Sequence, residues 1–156
     1  MGLIEEGARA PLFTLADQEG AKWSLKAALG GGPGVVYFYP KDDTSGCTKE
    51  ACGFRDSLAA FEGLGAWVVG VSPQGVESKA KFAAKHGLGF PLLADEGARV
   101  CEKYGVWQEK SMYGRSYMGV VRTTYVLGRS GKVLRRFDRV RVAGHAEAVL
   151  GVLRGE

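Results

Sequence analysis

The stretch that determines the architecture reads VVYFYPKDDTSGCTKEAC and spans residues 35–52. Its first five residues are all apolar, a pattern typical of a strand that is buried on both faces of a sheet. Pro40 ends this run, and a polar loop leads into residues 47–64, where apolar side chains recur with helical spacing. A second apolar run at residues 67–71 predicts a parallel strand, so the helix should form a right-handed crossover between the two strands.

The rest of the chain alternates between strand and helix patterns in the same way. Further strands are predicted at residues 12–15, 21–25, 91–94, 123–127 and 132–137, and further helices at residues 76–86, 97–104 and 143–153. Turn residues at 17–20 and 130–131 make the first and last pairs of these strands hairpins. This order predicts an α/β fold in a single domain over residues 1–156, with a central mixed β-sheet flanked by helices and an N-terminal β-hairpin. The three glycines at residues 30–32 are interpreted as a short flexible turn, because the Lys-Ser/Thr ending of a phosphate-binding loop is missing.

Composition excludes several classes of protein. The 156 residues are 46% hydrophobic and 24% charged, an ordinary balance for a globular domain. No apolar stretch approaches the roughly 18 residues that a membrane-spanning helix needs, so we expect no membrane partner. The acidic start at residues 1–6 lacks the basic and apolar regions of a signal peptide, and the expected location is therefore the cytoplasm.

A net charge of +4 invites a nucleic-acid-binding interpretation. The densest basic cluster consists of Arg135, Arg136, Arg139 and Arg141. In residues 139–142 arginine alternates with valine, which is typical of a half-exposed strand. No nucleic-acid-binding motif accompanies the cluster, so we interpret it as a solvated surface and expect no nucleic-acid partner.

Three cysteines and two histidines restrict the disulfide and metal chemistry. A secreted disulfide scaffold needs more cysteines, in pairs, and a structural zinc site usually needs four ligands at characteristic spacings. Neither Cys-x-x-Cys nor His-x-x-x-His occurs, so we predict no metal and no cofactor. His86 and His145 lie near predicted helix ends and are interpreted as surface residues. Cys101 is interpreted as a core residue on an i, i+3 stripe, with a role as a resolving or intermolecular thiol as the alternative.

Reactive thiol chemistry at Cys47, in the first turn of the predicted helix, is the interpretation that remains. Free N–H groups and the positive end of the helix dipole point there and favour the nucleophilic thiolate. A hydroxyl at Thr44 can face the same pocket and bind a small polar substrate. Arg122 precedes an apolar run, and a guanidinium there can stabilise the negative charge that grows on a departing oxygen. The residues alone leave three alternatives open: a buried structural Cys47, a capping or loop Thr44 and a surface Arg122.

These residues give the chain a resemblance to the peroxiredoxins, whose active-site signature Pro-x-x-x-Thr-x-x-Cys is met by Pro40, Thr44 and Cys47. Residues 39–56 resemble the bacterioferritin-comigratory or peroxiredoxin Q branch of that family. The resemblance continues through residues 69–72, 90–95, 104–107 and 117–125. It implies a thioredoxin-like fold and a thiol peroxidase that reduces hydrogen peroxide and organic hydroperoxides. This branch includes monomers and dimers, so a monomer or weak dimer is expected.

The resemblance also implies roles for individual residues. Cys47 is the peroxidatic cysteine, Thr44 the peroxide-binding hydroxyl and Arg122 the guanidinium of the site. The pocket is supported by Pro40, which shields the cysteine from solvent, by Glu50, which orients the arginine, and by Gly46.

Cys52 is implied as the resolving thiol, which condenses with the Cys47 sulfenic acid to form an intramolecular disulfide. Thioredoxin or a similar dithiol reductant then reduces this disulfide. Ser45 stands where the branch usually has proline, which predicts a less rigid loop before Cys47.

Helix geometry makes this disulfide depend on a conformational step. Cα atoms five residues apart in an ideal helix are separated by about 8.6 Å, beyond the roughly 7 Å that a disulfide tolerates. Cys47 and Cys52 can therefore bond only if the start of the helix unwinds, and Gly46 and Gly53 lower its intrinsic stability there.

Two other functions fit parts of the sequence. A disulfide reductase or isomerase on the same fold would want Cys-x-x-Cys, and the four residues between Cys47 and Cys52 count against it. A non-catalytic redox sensor that uses Cys47 as a switch shares the first oxidation step with the enzyme. Only repeated turnover distinguishes the peroxidase from the sensor.

Overall fold

The computed structural model describes residues 2–155, so that Met1 and Glu156, the outermost residues of the predicted domain, lie outside the described chain. Its strands are β1 Thr14–Ala16, β2 Lys22–Ser24, β3 Gly34–Phe38, β4 Trp67–Ser72, β5 Leu92–Ala94, β6 Trp107–Met112, β7 Arg115–Val120, β8 Thr123–Leu127 and β9 Val133–Phe137. Its helices are α1 Leu25–Gly31, α2 Ser45–Asp56, α3 Leu58–Gly63, α4 Val76–His86, α5 Arg99–Lys103 and α6 His145–Leu153.

Seven of the strands form one mixed sheet in the order β2-β1-β5-β4-β3-β8-β9. The strands β3, β4 and β5 run parallel, whereas β8 and β9 on one side and β1 and β2 on the other are antiparallel to their neighbours. The predicted mixed sheet, its parallel β3–β4 pair and the N-terminal hairpin are thereby confirmed. The apolar strand β3 lies between β4 and β8, and all five of its residues are buried.

The side chains of β3 alternate between two hydrophobic cores on the opposite faces of the sheet. Val36 and Phe38 pack with residues of α1 and α5. Val35 and Tyr37 pack on the other face, with apolar residues of α2, α3, α4 and α6. The continuous apolar run at residues 35–39 therefore reflects a sheet that helices cover on both faces. Cys47 belongs to the second core.

Four local predictions were wrong or incomplete. The predicted helix at residues 47–64 is two helices, because the backbone of Ser57 leaves the helical region with φ −100° and ψ 3°. Residues 30–32 are not a free turn: the first two end the short helix α1, which the hydroxyl of Ser24 caps by accepting from the Ala27 N–H. The predictions also lacked the separate hairpin of β6 and β7.

The fourth error concerns the basic cluster at residues 139–142, which is a loop and not a half-exposed strand. Arg139 has φ 46°, a left-handed conformation that ends any extended run. The next residue, Val140, donates its N–H to the carbonyl of Arg122 at 3.2 Å. The loop therefore lies against the residue that precedes β8 and leads the chain into α6.

Within the described residues, no helix is both long and apolar enough to cross a membrane.

Candidate active site

Cys47 lies in the first turn of α2, at the end of the loop that leaves the central strand β3. Thr44 is the N-cap residue, with φ −91° and ψ 159°, and its carbonyl accepts the Thr48 N–H at 2.8 Å. The Thr44 hydroxyl does not cap the helix, because it donates to the carbonyl of Lys41 at 3.0 Å. The N–H groups of the first turn thus receive no hydrogen bond from a capping side chain. The cysteine itself is only 1% exposed.

Sheet register brings Arg122 to this cysteine from 75 residues away. The antiparallel pair of Phe38 with Thr123 places the residue before β8 beside the loop that follows β3. Arg122 Nη2 donates to Cys47 Sγ at 3.3 Å, a position from which a guanidinium attracts a negatively charged sulfur. Gly46 leaves room for this contact, because a Cβ atom there would lie 3.1 Å from Arg122 Nη2.

Glu50 fixes the other end of the same guanidinium. It follows Cys47 by one helical turn on the buried face of α2, and its Oε1 accepts from Arg122 Nη1 at 2.6 Å. The Glu50 side chain is completely buried. Burial raises the pKa of this carboxyl to about 7, although the charge and the hydrogen bond of Arg122 act in the opposite direction. Arg122 is therefore held between a carboxylate and the thiol sulfur.

The loop that carries Pro40 and Thr44 is attached to the fold by Asp42, a residue that the sequence reasoning missed. Its carboxylate accepts from Ser78 at 2.7 Å and from the fully buried ammonium of Lys79 at 3.3 Å, both on α4. Burial lowers the pKa of Lys79, and the neighbouring Asp42 opposes that effect. The sequence signal for this pair is the position of Lys79, which lies one helical turn before Phe82 on the apolar face of α4. A lysine on that face indicates a buried partner of opposite charge.

The predicted pocket residues therefore fall into two groups. Cys47, Arg122, Glu50 and Gly46 are in direct contact. Pro40 and Thr44 lie on the adjoining loop, where the Pro40 carbonyl accepts from Gln74 Nε2 at 3.0 Å. Because the Thr44 hydroxyl already donates to Lys41, its lone pairs remain for accepting a hydrogen bond from a substrate.

The other two thiols occupy different environments. Cys52 lies in the same helix as Cys47, as predicted, and is partly exposed. Cys101 is completely buried in α5, as expected of a core residue. Burial, reinforced by Asp95, raises the pKa of the Cys101 thiol. All three cysteines are free thiols. Within residues 2–155, no group of three or more His, Cys, Asp or Glu side chains could hold a metal ion.

The interpretation of both histidines as surface residues was wrong for His145. His145 begins α6 but is 6% exposed, because the rings of Phe54 and Phe137 cover it. No local pattern indicates that a residue of α2 and one of β9 meet at this ring. His86, at the end of α4, is partly exposed, and its Nε2 lies 2.9 Å from Asp43 Oδ1.

Comparison with known proteins gives one consistent result. The model of the AhpC/TSA family matches residues 7–136. The chain is 44% identical over 150 residues to a putative peroxiredoxin Bcp of Coxiella burnetii, covering 96% of this chain and 99% of that protein. It is 40% identical over 154 residues to peroxiredoxin Bcp of Escherichia coli, covering 99% of this chain and 98% of that protein. The solved bacterioferritin comigratory protein of Xanthomonas campestris superposes with a TM-score of 0.87 at 40% identity, covering 92% of this chain and 90% of that one.

Proposed function

Because the chain belongs to the AhpC/TSA family, as a peroxiredoxin of the bacterioferritin-comigratory or peroxiredoxin Q branch with a thioredoxin-like fold, we propose that it reduces hydroperoxides through Cys47. In this proposal Cys52 resolves the oxidised cysteine, and a thioredoxin-type dithiol restores both thiols. The observation that carries the proposal is the contact of Arg122 Nη2 with Cys47 Sγ at 3.3 Å, with Glu50 behind the guanidinium.

The first step is attack of the Cys47 thiolate on the terminal oxygen of the hydroperoxide. A sulfur–oxygen bond forms, the O–O bond breaks, and the departing oxygen leaves as alkoxide or hydroxide, which takes up a proton from water. Arg122 and the N–H groups of the first turn of α2 stabilise the charge on that oxygen. The Thr44 hydroxyl accepts a hydrogen bond from the peroxide O–H and aligns it. The products are a Cys47 sulfenic acid and water or an alcohol.

The second step joins Cys47 to Cys52 and releases water. Both cysteines lie within the unbroken helix α2, in which their Cα atoms are about 8.6 Å apart by ideal geometry. A disulfide tolerates roughly 7 Å, so the first turns of α2 must open. Each backbone hydrogen bond lost there costs about 1 kcal/mol, partly offset by bonds to water. The Asp42–Lys79 pair ties the chain to α4 just before this segment and confines the opening to residues after Asp42.

The Cys52→Ser variant tests this resolution step. Cys47 should still reach the sulfenic acid, but thioredoxin-linked turnover should fall to near background, with overoxidation at high peroxide, because no thiol is left to condense with it. Steady-state turnover and peptide mapping of the oxidised protein by mass spectrometry measure both effects.

The matched control is Cys101→Ser, which should leave turnover nearly unchanged because Cys101 is buried on the other face of the sheet. Hydrogen exchange across residues 44–56 should rise when the wild type is oxidised. A Cys47–Cys101 disulfide as the main product, or equal exchange in both redox states, would exclude the proposed resolution.

Repeated turnover distinguishes the proposed peroxidase from a non-catalytic redox sensor. The proposal predicts that the protein consumes many equivalents of hydroperoxide when thioredoxin and its reductase are supplied. The X. campestris relative has been studied for its alkyl peroxide reduction activity, so the assay compares hydrogen peroxide with organic hydroperoxides. Consumption that stops after one equivalent per protein would identify a sensor and contradict the enzyme.

A further inference from the structure

The second carboxylate oxygen of Glu50 is an unusual group in this core. Arg122 occupies Oε1, but Oε2 is buried and makes no hydrogen bond with any described residue. An ionised carboxylate with one bare oxygen is unfavourable in an apolar interior. The orientation of Glu50, and with it that of Arg122, therefore depends on the polar groups that surround Oε2.

One of these groups is the imidazole of His145, whose Nε2 lies 3.9 Å from Glu50 Oε2 and 2.8 Å from the Thr124 hydroxyl. The ring is held by two edge-on contacts, with centroid distances of 5.7 Å to Phe54 and 5.2 Å to Phe137. The elements α2, β8 and β9 thus each supply one wall of its pocket. Because Nε2 has a single hydrogen-bonding position, a small rotation of the ring would let its N–H be shared between the Thr124 hydroxyl and the carboxylate.

We propose that His145 is a positioning residue of the peroxide-reducing site, in which its Nε2 orients the free oxygen of Glu50 and so keeps Arg122 directed at the Cys47 sulfur. The contacts form a continuous series from His145 to Glu50, from Glu50 to Arg122 and from Arg122 to Cys47. The proposal rests on the proposed function, because it concerns the rate of the same peroxide step. It assigns no contact between His145 and the substrate.

The neutral imidazole favours the ionised form of Glu50. Burial and the charge of Arg122 lower the pKa of His145 to about 4, so the ring is neutral near neutral pH. With its proton on Nε2, the neutral ring can share this one N–H between the Thr124 hydroxyl and the ionised carboxylate. In this tautomer the Thr124 hydroxyl accepts from Nε2 and fixes the plane of the ring.

Other titratable groups surround this pair. The buried hydroxyl of Tyr37 stays protonated, because burial and the nearby Glu50 raise its pKa. Arg122 lies beside Glu50, and Cys47 and Lys110 lie near Arg122. The charged residues that line the cavity beside His145 are Arg135, Arg136, Asp138, Arg139 and Arg141.

The consequence is a specific pH dependence of the peroxide step. With the pKa of Glu50 near 7, its carboxylate is ionised above that pH and holds Arg122 most firmly. The rate of Cys47 oxidation, divided by the thiolate fraction at each pH, should therefore rise as the pH passes through about 7. Removal of the polar imidazole leaves Oε2 with less support when ionised, raises the pKa of Glu50, and moves this rise to higher pH.

The test compares His145→Phe with His145→Gln in the otherwise intact protein. The first keeps an aromatic ring between Phe54 and Phe137 but removes both nitrogens; the second keeps an amide that can donate or accept near Oε2. We expect His145→Phe to slow Cys47 oxidation by about tenfold in stopped-flow measurements. The pH at which the corrected oxidation rate rises should move upward by roughly one unit in this variant. His145→Gln should stay close to the wild type in both measurements.

Each other outcome overturns the inference. If both variants have the oxidation rate of the wild type and the same pH dependence, His145 does not act on the site. If both variants are slowed equally and the rate still rises at the pH of the wild type, His145 has a purely structural role. If His145→Phe does not fold, Thr124→Val replaces it. An unchanged oxidation rate with an unchanged pH dependence in that variant would contradict the inference. A wild-type protein whose Cys47 is not oxidised at all would instead remove the proposed function itself.

Discussion

The Cys47→Ser variant is expected to lose peroxidase turnover completely while keeping its fold. A serine hydroxyl is not ionised at neutral pH and is a far weaker nucleophile than a thiolate, so it cannot open the O–O bond. The substitution replaces one buried atom, and the new hydroxyl can accept the hydrogen bond that Arg122 Nη2 gives to the sulfur. Stability should therefore change by no more than about 1 kcal/mol.

Coupled turnover with thioredoxin and chemical denaturation measure these two effects separately. The Cys101→Ser variant is the matched control, because it makes the same chemical change at a buried thiol remote from Arg122. Turnover close to the wild type in Cys47→Ser would mean that another group attacks the peroxide.

The Arg122→Ala variant is expected to slow Cys47 oxidation by about 10²-fold, the usual loss when a preorganised donor to a transition-state charge is removed. Both guanidinium contacts disappear together, one to the sulfur and one to Glu50. Arg122→Lys should recover little of the rate, because an ammonium lacks the planar fork that reaches both groups at once.

Stability has to be controlled in this experiment, because Arg122→Ala leaves Glu50 buried without its cation. The double variant with Glu50→Gln removes that charge and should fold normally while oxidising slowly. Arg141→Ala, a substitution of an exposed arginine, should have little effect on the rate. An unchanged stopped-flow rate in Arg122→Ala would show that the guanidinium takes no part in the peroxide step.

Local patterns predicted most of the sheet, because each central strand is a short run of apolar residues ended by polar or turn residues. The sequence did not reveal the hairpin of β6 and β7, since most of its side chains are exposed and show no apolar alternation. The helix α1 was missed because two of its seven residues are glycines, which have low helix propensity.

The candidate site was only partly predictable from local patterns. The position of Cys47 after a buried strand indicated a helix start, and the structure has it in the first turn of α2. The approach of Arg122 depends on the pairing of β3 with β8, a contact between distant segments that only the family resemblance suggested. The burial of His145 and the Asp42–Lys79 pair depend on packing between helices and sheet, which a single sequence does not encode in any short pattern.

The proposed function depends above all on attack of the Cys47 sulfur on the hydroperoxide. The most direct test oxidises the reduced Cys52→Ser variant with an equimolar amount of hydrogen peroxide in the presence of a sulfenic-acid trap, followed by peptide mapping with mass spectrometry. One trapped adduct is expected, on the peptide that contains Cys47, and Cys101 should stay unmodified. An adduct on Cys101, or no adduct on Cys47 while peroxide is consumed, would contradict it.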